Sequence, residues 1–311
     1  MDDFPAERQM EAPVPQGVLR GTFFSSGRLP APAVLLIPGS GPVDRNGNAP
    51  PDMNASTLRL VAEGLAARGI SSVRIDKRGM YESALSAGNG DDVTIADYVA
   101  DAHAWVDVLK QEPGVSCVWV LGHSEGGLVA LAAAQGRNDI CGLVLVSTPG
   151  RKISDILREQ LTANPANQPL LPQALDAITK LDAGKYVDDT RLHPALLPLF
   201  RASVQDYLMD LMKVDPARLI AGYTKPVLIV QGDKDIQTQV QDAVLLAQAN
   251  RRAQRVVIPN MNHVLKQVES IDLAENLKTY SDPGLPLAEG IIDSIADFIL
   301  RNAGGNKPFA G

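Results

Sequence analysis

The chain of 311 residues is sparing with the side chains that build metal sites and cross-links, holding two cysteines, Cys117 and Cys141, and four histidines, at 103, 123, 193 and 263. No Cys-x-x-Cys or His-Glu-x-x-His occurs and the histidines share no short spacing, so a zinc site of the familiar kinds is excluded and no metal or other cofactor is expected. Each cysteine lies near the start of an apolar run, where it reads as a small hydrophobe of a core, and no disulfide is expected. Clusters of lysine and arginine are missing too, and the formal net charge is −7. Nucleic acid and anionic membrane surfaces, which call for a concentrated basic patch, are thereby excluded as principal partners. No apolar run reaches the roughly 18–20 residues that cross a bilayer. The opening Met1-Asp2-Asp3-Phe4 has neither the basic region nor the apolar stretch of a secretory signal. A cytoplasmic protein without a membrane span is the expectation, and the oligomeric state stays open.

What the chain does have, 45% hydrophobic and 21% charged residues, suffices for one large α/β domain or one domain with an insertion. Residues 1–16, with Pro5, Pro13 and Pro15, read as an N-terminal arm. Strands are expected at Val18–Phe24, Ala33–Ile37, Ser71–Ile75, Cys117–Leu121, Gly142–Ser147, Val227–Gln231 and Arg255–Ile258. Between them fall helices at about Ser56–Arg68, Thr94–Lys110 with the stripe Ile95, Val99, Ala102, Val106 and Leu109, from Glu125 onward, Val240–Asn250 and Gly290–Arg301. Strand–helix alternation of this kind means a mostly parallel sheet covered by helices on both faces. It is interrupted once. Residues 150–222 give only amphipathic helical segments, at about Ile153–Leu161, Pro172–Leu181 and Val204–Lys213, too apolar for a linker. The expected organisation is a core of residues 17–149 and 223–303, a helical cap over 150–222 inserted in it, and a flexible C-terminal tail, 304–311.

Chemistry concentrates where strands end. Val118–Leu121 runs into Gly122-His123-Ser124-Glu125-Gly126, a strand-to-helix turn so tight that its flanks tolerate little beyond glycine. Such a turn lifts Ser124 above the sheet edge, over a helix N-terminus that favours negative charge. Ligands of open parallel sheets collect at the carboxyl ends of the strands, and two further groups are expected there: Gly232-Asp233-Lys234-Asp235 after the strand at 227–231, and Asn260-Met261-Asn262-His263 after that at 255–258. A serine hydroxyl is a poor nucleophile unless an imidazole takes its proton, and the imidazole needs a carboxylate to fix its tautomer. The groups occur in the order Ser, Asp, His.

That order, with the blocks Ile37-Pro38-Gly39-Ser40-Gly41-Pro42, Asp76-Lys77-Arg78-Gly79, Gly122–Gly127 and Gly232–Asp235 with His263, resembles the α/β-hydrolases. More narrowly, it is similar to bacterial capped esterases and to peptidase-like hydrolases with a serine aminopeptidase domain. The resemblance covers residues 18–302 and implies the α/β-hydrolase fold. It makes Ser124 the nucleophile, Asp235 rather than Asp233 the orienting acid, and His263 the general base. The block at 37–42 stands where the family places its oxyanion loop, which assigns the backbone N–H groups of Ser40 and Glu125 as oxyanion donors. Many members carry histidine before the first glycine of that loop and this chain carries Pro38, but a backbone donor does not depend on that side chain.

The remaining candidates have plainer readings. His103 falls off the apolar stripe of its helix, beside Asp107. His123 adjoins the nucleophile with its side chain expected to point elsewhere, and His193 sits in the cap. Arg78 reads either as a clamp for a phosphate or carboxylate or as part of a structural turn with Asp76. The expected activity is a carboxylesterase acting on short to medium acyl esters through an acyl-enzyme, its partner a small-molecule ester. The cap residues Leu196, Leu197, Leu199, Phe200, Tyr207, Leu208, Leu211 and Met212 either line an acyl pocket or pack the cap. An aminopeptidase would use the same triad with Asp182, Asp188, Asp189 or Asp206 receiving a substrate ammonium. A thioesterase or lactonase is chemically adjacent, and a non-catalytic small-molecule receptor is the reading from another class.

Overall fold

A computed structural model describes residues 6–87 and 93–303. The tail expected at 304–311 lies outside the described residues, as do residues 1–5 of the expected arm. Among the described residues eight strands form one sheet. Along the chain come β1 (Ala6–Val14), β2 (Gly17–Ser25), β3 (Ala31–Ile37), α1 (Thr57–Ala67), β4 (Ser71–Ile75), α2 (Ile95–Gln111), β5 (Val115–His123), α3 (Glu125–Ala133) and β6 (Ile140–Val146). The helices α4 (Ile153–Ala163), α5 (Leu171–Asp182), α6 (Leu197–Phe200), α7 (Ala202–Met212) and α8 (Pro216–Ala221) follow, then β7 (Val227–Gly232), α9 (Val240–Ala249), β8 (Gln254–Ile258), α10 (Leu273–Lys278) and α11 (Ile291–Ala303). The strand order is β1-β2-β4-β3-β5-β6-β7-β8. Pairing is parallel from β4 through β8, while β1 and β2 are antiparallel at one edge.

The continuous apolar runs explain the central strands. Every residue of β3 and β6 is buried, which is what a parallel strand covered on both faces requires. One face packs on α2 and α3 through Leu35, Val120, Leu145, Trp105 and Leu128. The other packs on α1 and α11 through Leu36, Trp119, Val144, Leu65 and Ile295, with Trp119 and Phe298 edge to face at 5.8 Å between ring centroids. Helix α2 starts at a capping box in which Thr94 and Asp97 exchange hydrogen bonds, satisfying donors that a helix N-terminus otherwise leaves open. Its buried face includes Tyr98 and Trp105, with Val99 only half-buried.

Two expectations are corrected. Residues 6–14 of the stretch read as an arm form β1, which pairs with β2 from Ala6 opposite Ser25 to Val14 opposite Gly17. Proline breaks central strands but is tolerated at a sheet edge, and Met10 and Ala12 are buried, fixing which side of β1 faces the core. The cysteines are joined: Cys117 of β5 and Cys141 of β6 form a disulfide with their Cα atoms 6.1 Å apart. They sit on neighbouring parallel strands and in the same face of the core, within the span such a bond needs.

Between β6 and β7 the helices α4 to α7 gather a core of their own from Ala177, Ile178, Leu181, Leu196, Phe200, Met209 and Met212. Leu211 and Tyr207 turn the other way and pack on the α2–α3 face of the main core. Among the described residues no helix is long and apolar enough to cross a membrane.

Candidate active site

Ser124 stands between β5 and α3 with φ 54° and ψ −124°, a conformation an L-residue enters only at a cost of about 1–3 kcal/mol and that is met at reactive turns. Its backbone is held on both sides, Ser124 N–H donating to Val146 O at 2.9 Å and Gly127 N–H to Ser124 O at 2.9 Å. The turn closes only because Gly122 has no side chain: a Cβ there would stand 2.2 Å from Gly126 O.

The loop after β7 and the loop after β8 supply the next two groups. His263 is 5% exposed, and its Nδ1 lies 3.0 and 2.9 Å from the two carboxylate oxygens of Asp235. The bonded ring nitrogen is Nδ1, so Nε2 is the one left for chemistry. Asp233 is engaged elsewhere, accepting the N–H of Asn260 at 2.6 Å. Asp235 is held by donors besides the imidazole: the N–H groups of Gln237 and Thr238 reach Oδ1 at 2.8 and 2.9 Å, and the Thr238 hydroxyl and the Gln231 amide reach Oδ2 at 2.8 and 3.1 Å. Burial alone would raise its pKa, but the facing His263 and these hydrogen bonds outweigh it and hold the carboxyl below the usual carboxylate range. A carboxylate so fixed stays charged and keeps the proton of the neutral ring on Nδ1.

Ser124 and His263 line one cavity of about 70 Å³ with Gly39, Ser40, His123 and Gln237. Its apolar wall is Val43, Met53, Leu58 and Val264, with Thr57 beside them, drawn from the β3–α1 connection, α1 and the residue after His263. No residue of 150–222 lines it. The apolar residues of that stretch are mostly spent within it or on the main core: Leu196, Phe200, Leu211 and Met212 are buried, which answers the open question in favour of packing. The Glu125 N–H is the first of α3, while Glu125 lines a separate small pocket with Lys77 and Tyr98.

His123 is the residue that sequence reasoning placed wrongly. Its side chain does not point away: it lines the same cavity as Ser124, its ring 5.0 Å from that of His263 between centroids. Its Nε2 lies 2.8 Å from the backbone carbonyl of His263, so Nε2–H donates and ties the histidine loop to the end of β5. Burial, and next the neighbouring His263, push its pKa down to about 4, which keeps the ring neutral and the donor in place near neutral pH. The signal available in the sequence was its place beside Ser124, though not its partner 140 residues on. His103 is not a mere neighbour of Asp107 either, because its Nε2 bonds Ala133 O at the end of α3 at 2.8 Å. His193 caps a short helical turn by accepting the Ala195 N–H.

The Asp76–Gly79 turn is structural. Asp76 accepts the Arg45 N–H at 2.9 Å and the Arg45 guanidinium at 2.5 Å, and Arg78 forks onto the buried Asp101. Among the described residues no group of three or more His, Cys, Asp or Glu side chains is arranged to hold a metal ion.

The family model described as serine aminopeptidase, S33, matches residues 54–267. The chain belongs to this family of α/β-hydrolases. Esterase EstD of Thermotoga maritima is 27% identical over 249 residues, which are 77% of this chain and 56% of EstD. Lipase 3 of a Moraxella species is 29% identical over 217 residues, 64% of this chain and 67% of the lipase. The chain thus spans little more than half of the first relative and about two thirds of the second. Among solved structures, Est1E of Butyrivibrio proteoclasticus, determined with ferulic acid bound, superposes with a TM-score of 0.61 at 19% identity, covering 95% of this chain and 99% of that one. At that identity the likeness establishes the α/β-hydrolase fold.

Proposed function

We propose that the protein is a carboxylesterase that cleaves short acyl esters through an acyl-enzyme on Ser124. In this reading His263 Nε2 takes the hydroxyl proton as Ser124 attacks the ester carbonyl, and Asp235 stabilises the imidazolium that forms. The oxyanion is received by the N–H groups of Ser40 and Glu125, each donor contributing about 3–4 kcal/mol to the transition state in comparable enzymes. His263 then returns its proton to the leaving alcohol and activates water against the acyl-enzyme. The names of the relatives, an esterase and a lipase, agree with ester chemistry.

The observation that carries the reading is the make-up of the cavity. Apart from the imidazoles of His123 and His263, the residues lining it beside Ser124 carry no ionisable group, and none is a carboxylate, so an ester, neutral at both ends of the reacting group, fits where an amino-acid ammonium would go unpaired. The four carboxylates that an aminopeptidase reading relies on are engaged locally: Asp182 by Lys152, Asp188 by Thr190, Asp189 by the Ala202 N–H and Asp206 by the Tyr186 hydroxyl. The size of the cavity argues for acetyl to butyryl groups over longer chains. Turnover of p-nitrophenyl acetate, butyrate and octanoate against amino-acid p-nitroanilides tests the proposal. Esters should be preferred by at least about a hundredfold, and Ser124→Ala should remove on the order of 10⁴-fold or more of kcat. Preference for the anilides, or full activity in Ser124→Ala, sinks it.

For the compartment the disulfide is the better guide. Such a bond persists in oxidising surroundings, which argues against the cytoplasm that the sequence suggests. Thiol titration of unfolded, unreduced protein from its native source should find neither Cys117 nor Cys141 reactive; two reactive thiols would restore the cytoplasmic reading.

A further inference from the structure

The turn after β4 holds a cation that neither the fold nor the triad explains. Arg78 is paired with Asp101, but Lys77, 5% exposed, donates from Nζ to the carbonyl oxygen of Gly39 at 2.7 Å. Its ammonium also stands 5.6 Å from the ring centre of Tyr98. Around it is a small pocket lined by Pro38, Tyr98, Asp101, Trp105 and Glu125. Burying an ammonium is expensive, and an apolar residue would fill this space at lower cost if filling were the purpose. Burial pushes the Lys77 pKa down, and the carboxylate of Glu125 opposes that.

What the bond does follows from peptide geometry. The Gly39–Ser40 peptide is trans, and in a planar trans unit the carbonyl oxygen and the following N–H point in opposite directions. The order β4-β3-β5 puts Lys77 on one flank of the loop after β3 and Ser124 on the other. Gly39 is packed so closely on that second flank that a Cβ would stand 3.3 Å from Ser124 Cβ. Drawing Gly39 O toward Lys77 therefore swings Ser40 N–H toward the side of the nucleophile. We infer that Lys77 is a positioning residue, whose bond to Gly39 O holds the Ser40 N–H as an oxyanion donor. This rests on the reading of Ser124 as nucleophile.

The test compares wild type, Lys77→Met, which has no donor, and Lys77→Arg, which keeps one. The rate of labelling by a fluorophosphonate and kcat and KM for p-nitrophenyl butyrate are measured, with active sites counted from the labelled fraction. Lys77→Met should lower kcat per labelled site about 30–300-fold, at or below the loss from deleting one oxyanion donor, with KM within about threefold and labelling slowed in parallel. Lys77→Arg should recover at least a third of the wild-type rate. A purely structural role instead lowers the labelled fraction and leaves turnover per site alone, and that result overturns the inference. If Lys77→Met does not fold, Lys77→Leu, which likewise has no donor, gives the same readout. Absence of labelling on Ser124 in wild type defeats the underlying reading, whereas labelling of Lys77→Met at the wild-type rate defeats only the role of Lys77.

Discussion

Two connections leave the carboxyl edge of one sheet and take different parts. The segment between β3 and α1 is a loop with hardly any regular structure, yet it supplies Gly39, Ser40, Val43 and Met53 to the cavity around Ser124. The segment between β6 and β7 is rich in helices and apolar residues, yet supplies none of the lining. The difference lies in how each satisfies itself. The helical stretch pairs its apolar faces internally. The loop cannot, and is tied down by polar bonds instead: Asp44 accepts the N–H groups of Asn46 and Asn48 at 2.8 Å each, Asn48 accepts that of Ser56 at 2.8 Å, and Asn54 N–H reaches Tyr280 O at 2.7 Å. Apolar patterning predicts that a side chain is buried, not against what. A wall for substrate is made where backbone is rigid and apolar side chains have no partner of their own.

The contrast can be broken at its supports. Arg45 is the buried strut of the loop, bonded through its guanidinium to Asp76, Gln9, Thr22 and Glu82. Arg45→Met leaves Asp76 buried without its cation and should cost about 3–5 kcal/mol in urea unfolding, with kcat/KM for p-nitrophenyl butyrate down at least about tenfold at temperatures where the fold persists. In the parallel arm, Phe200→Ala hollows the core of the helical stretch and should cost about 3 kcal/mol, with kcat/KM changed less than about threefold. If Phe200→Ala proves the more damaging to catalysis, the helical stretch shapes the site after all and the comparison fails.

The same contrast marks how far the sequence could be read. Strands with both faces covered were legible because an unbroken apolar run such as Val34–Ile37 has no other stable home in a soluble sheet, and Ser71–Ile75 is found as expected. Edge strand β1 was not, because Pro13 and Pro15 argue for a strand only once its edge position is known. At the site, Gly122–Gly126 announces its own turn, and His263 and Asp235 follow from chain order at the sheet edge. The choice between Asp233 and Asp235 came from resemblance, and the hydrogen bonds to His263 show which carboxylate faces it. The Cys117–Cys141 bond and the contact of Lys77 with Gly39 O depend on which strands are neighbours, and that of His123 with His263 O on the order of strands that brings the loop after β8 back to the end of β5. Local pattern does not encode strand order, and these were missed together for that one reason.

The smallest expected effect sharpens the comparison most. Met53 lines the cavity and packs beside Ala55, Val264 and Tyr280, so its side chain closes the cavity on the loop side. Met53→Ala should admit longer acyl groups, each further methylene buried gaining about 0.8 kcal/mol at most. The ratio of kcat/KM for octanoate over butyrate should then rise about tenfold, the range expected when a pocket gains room for a few methylenes. Leu196→Ala, in the core of the helical stretch, should leave that ratio unchanged. A shift produced by Leu196→Ala but not by Met53→Ala would move the acyl wall from the loop to the helices, and with it the reason for expecting short chains.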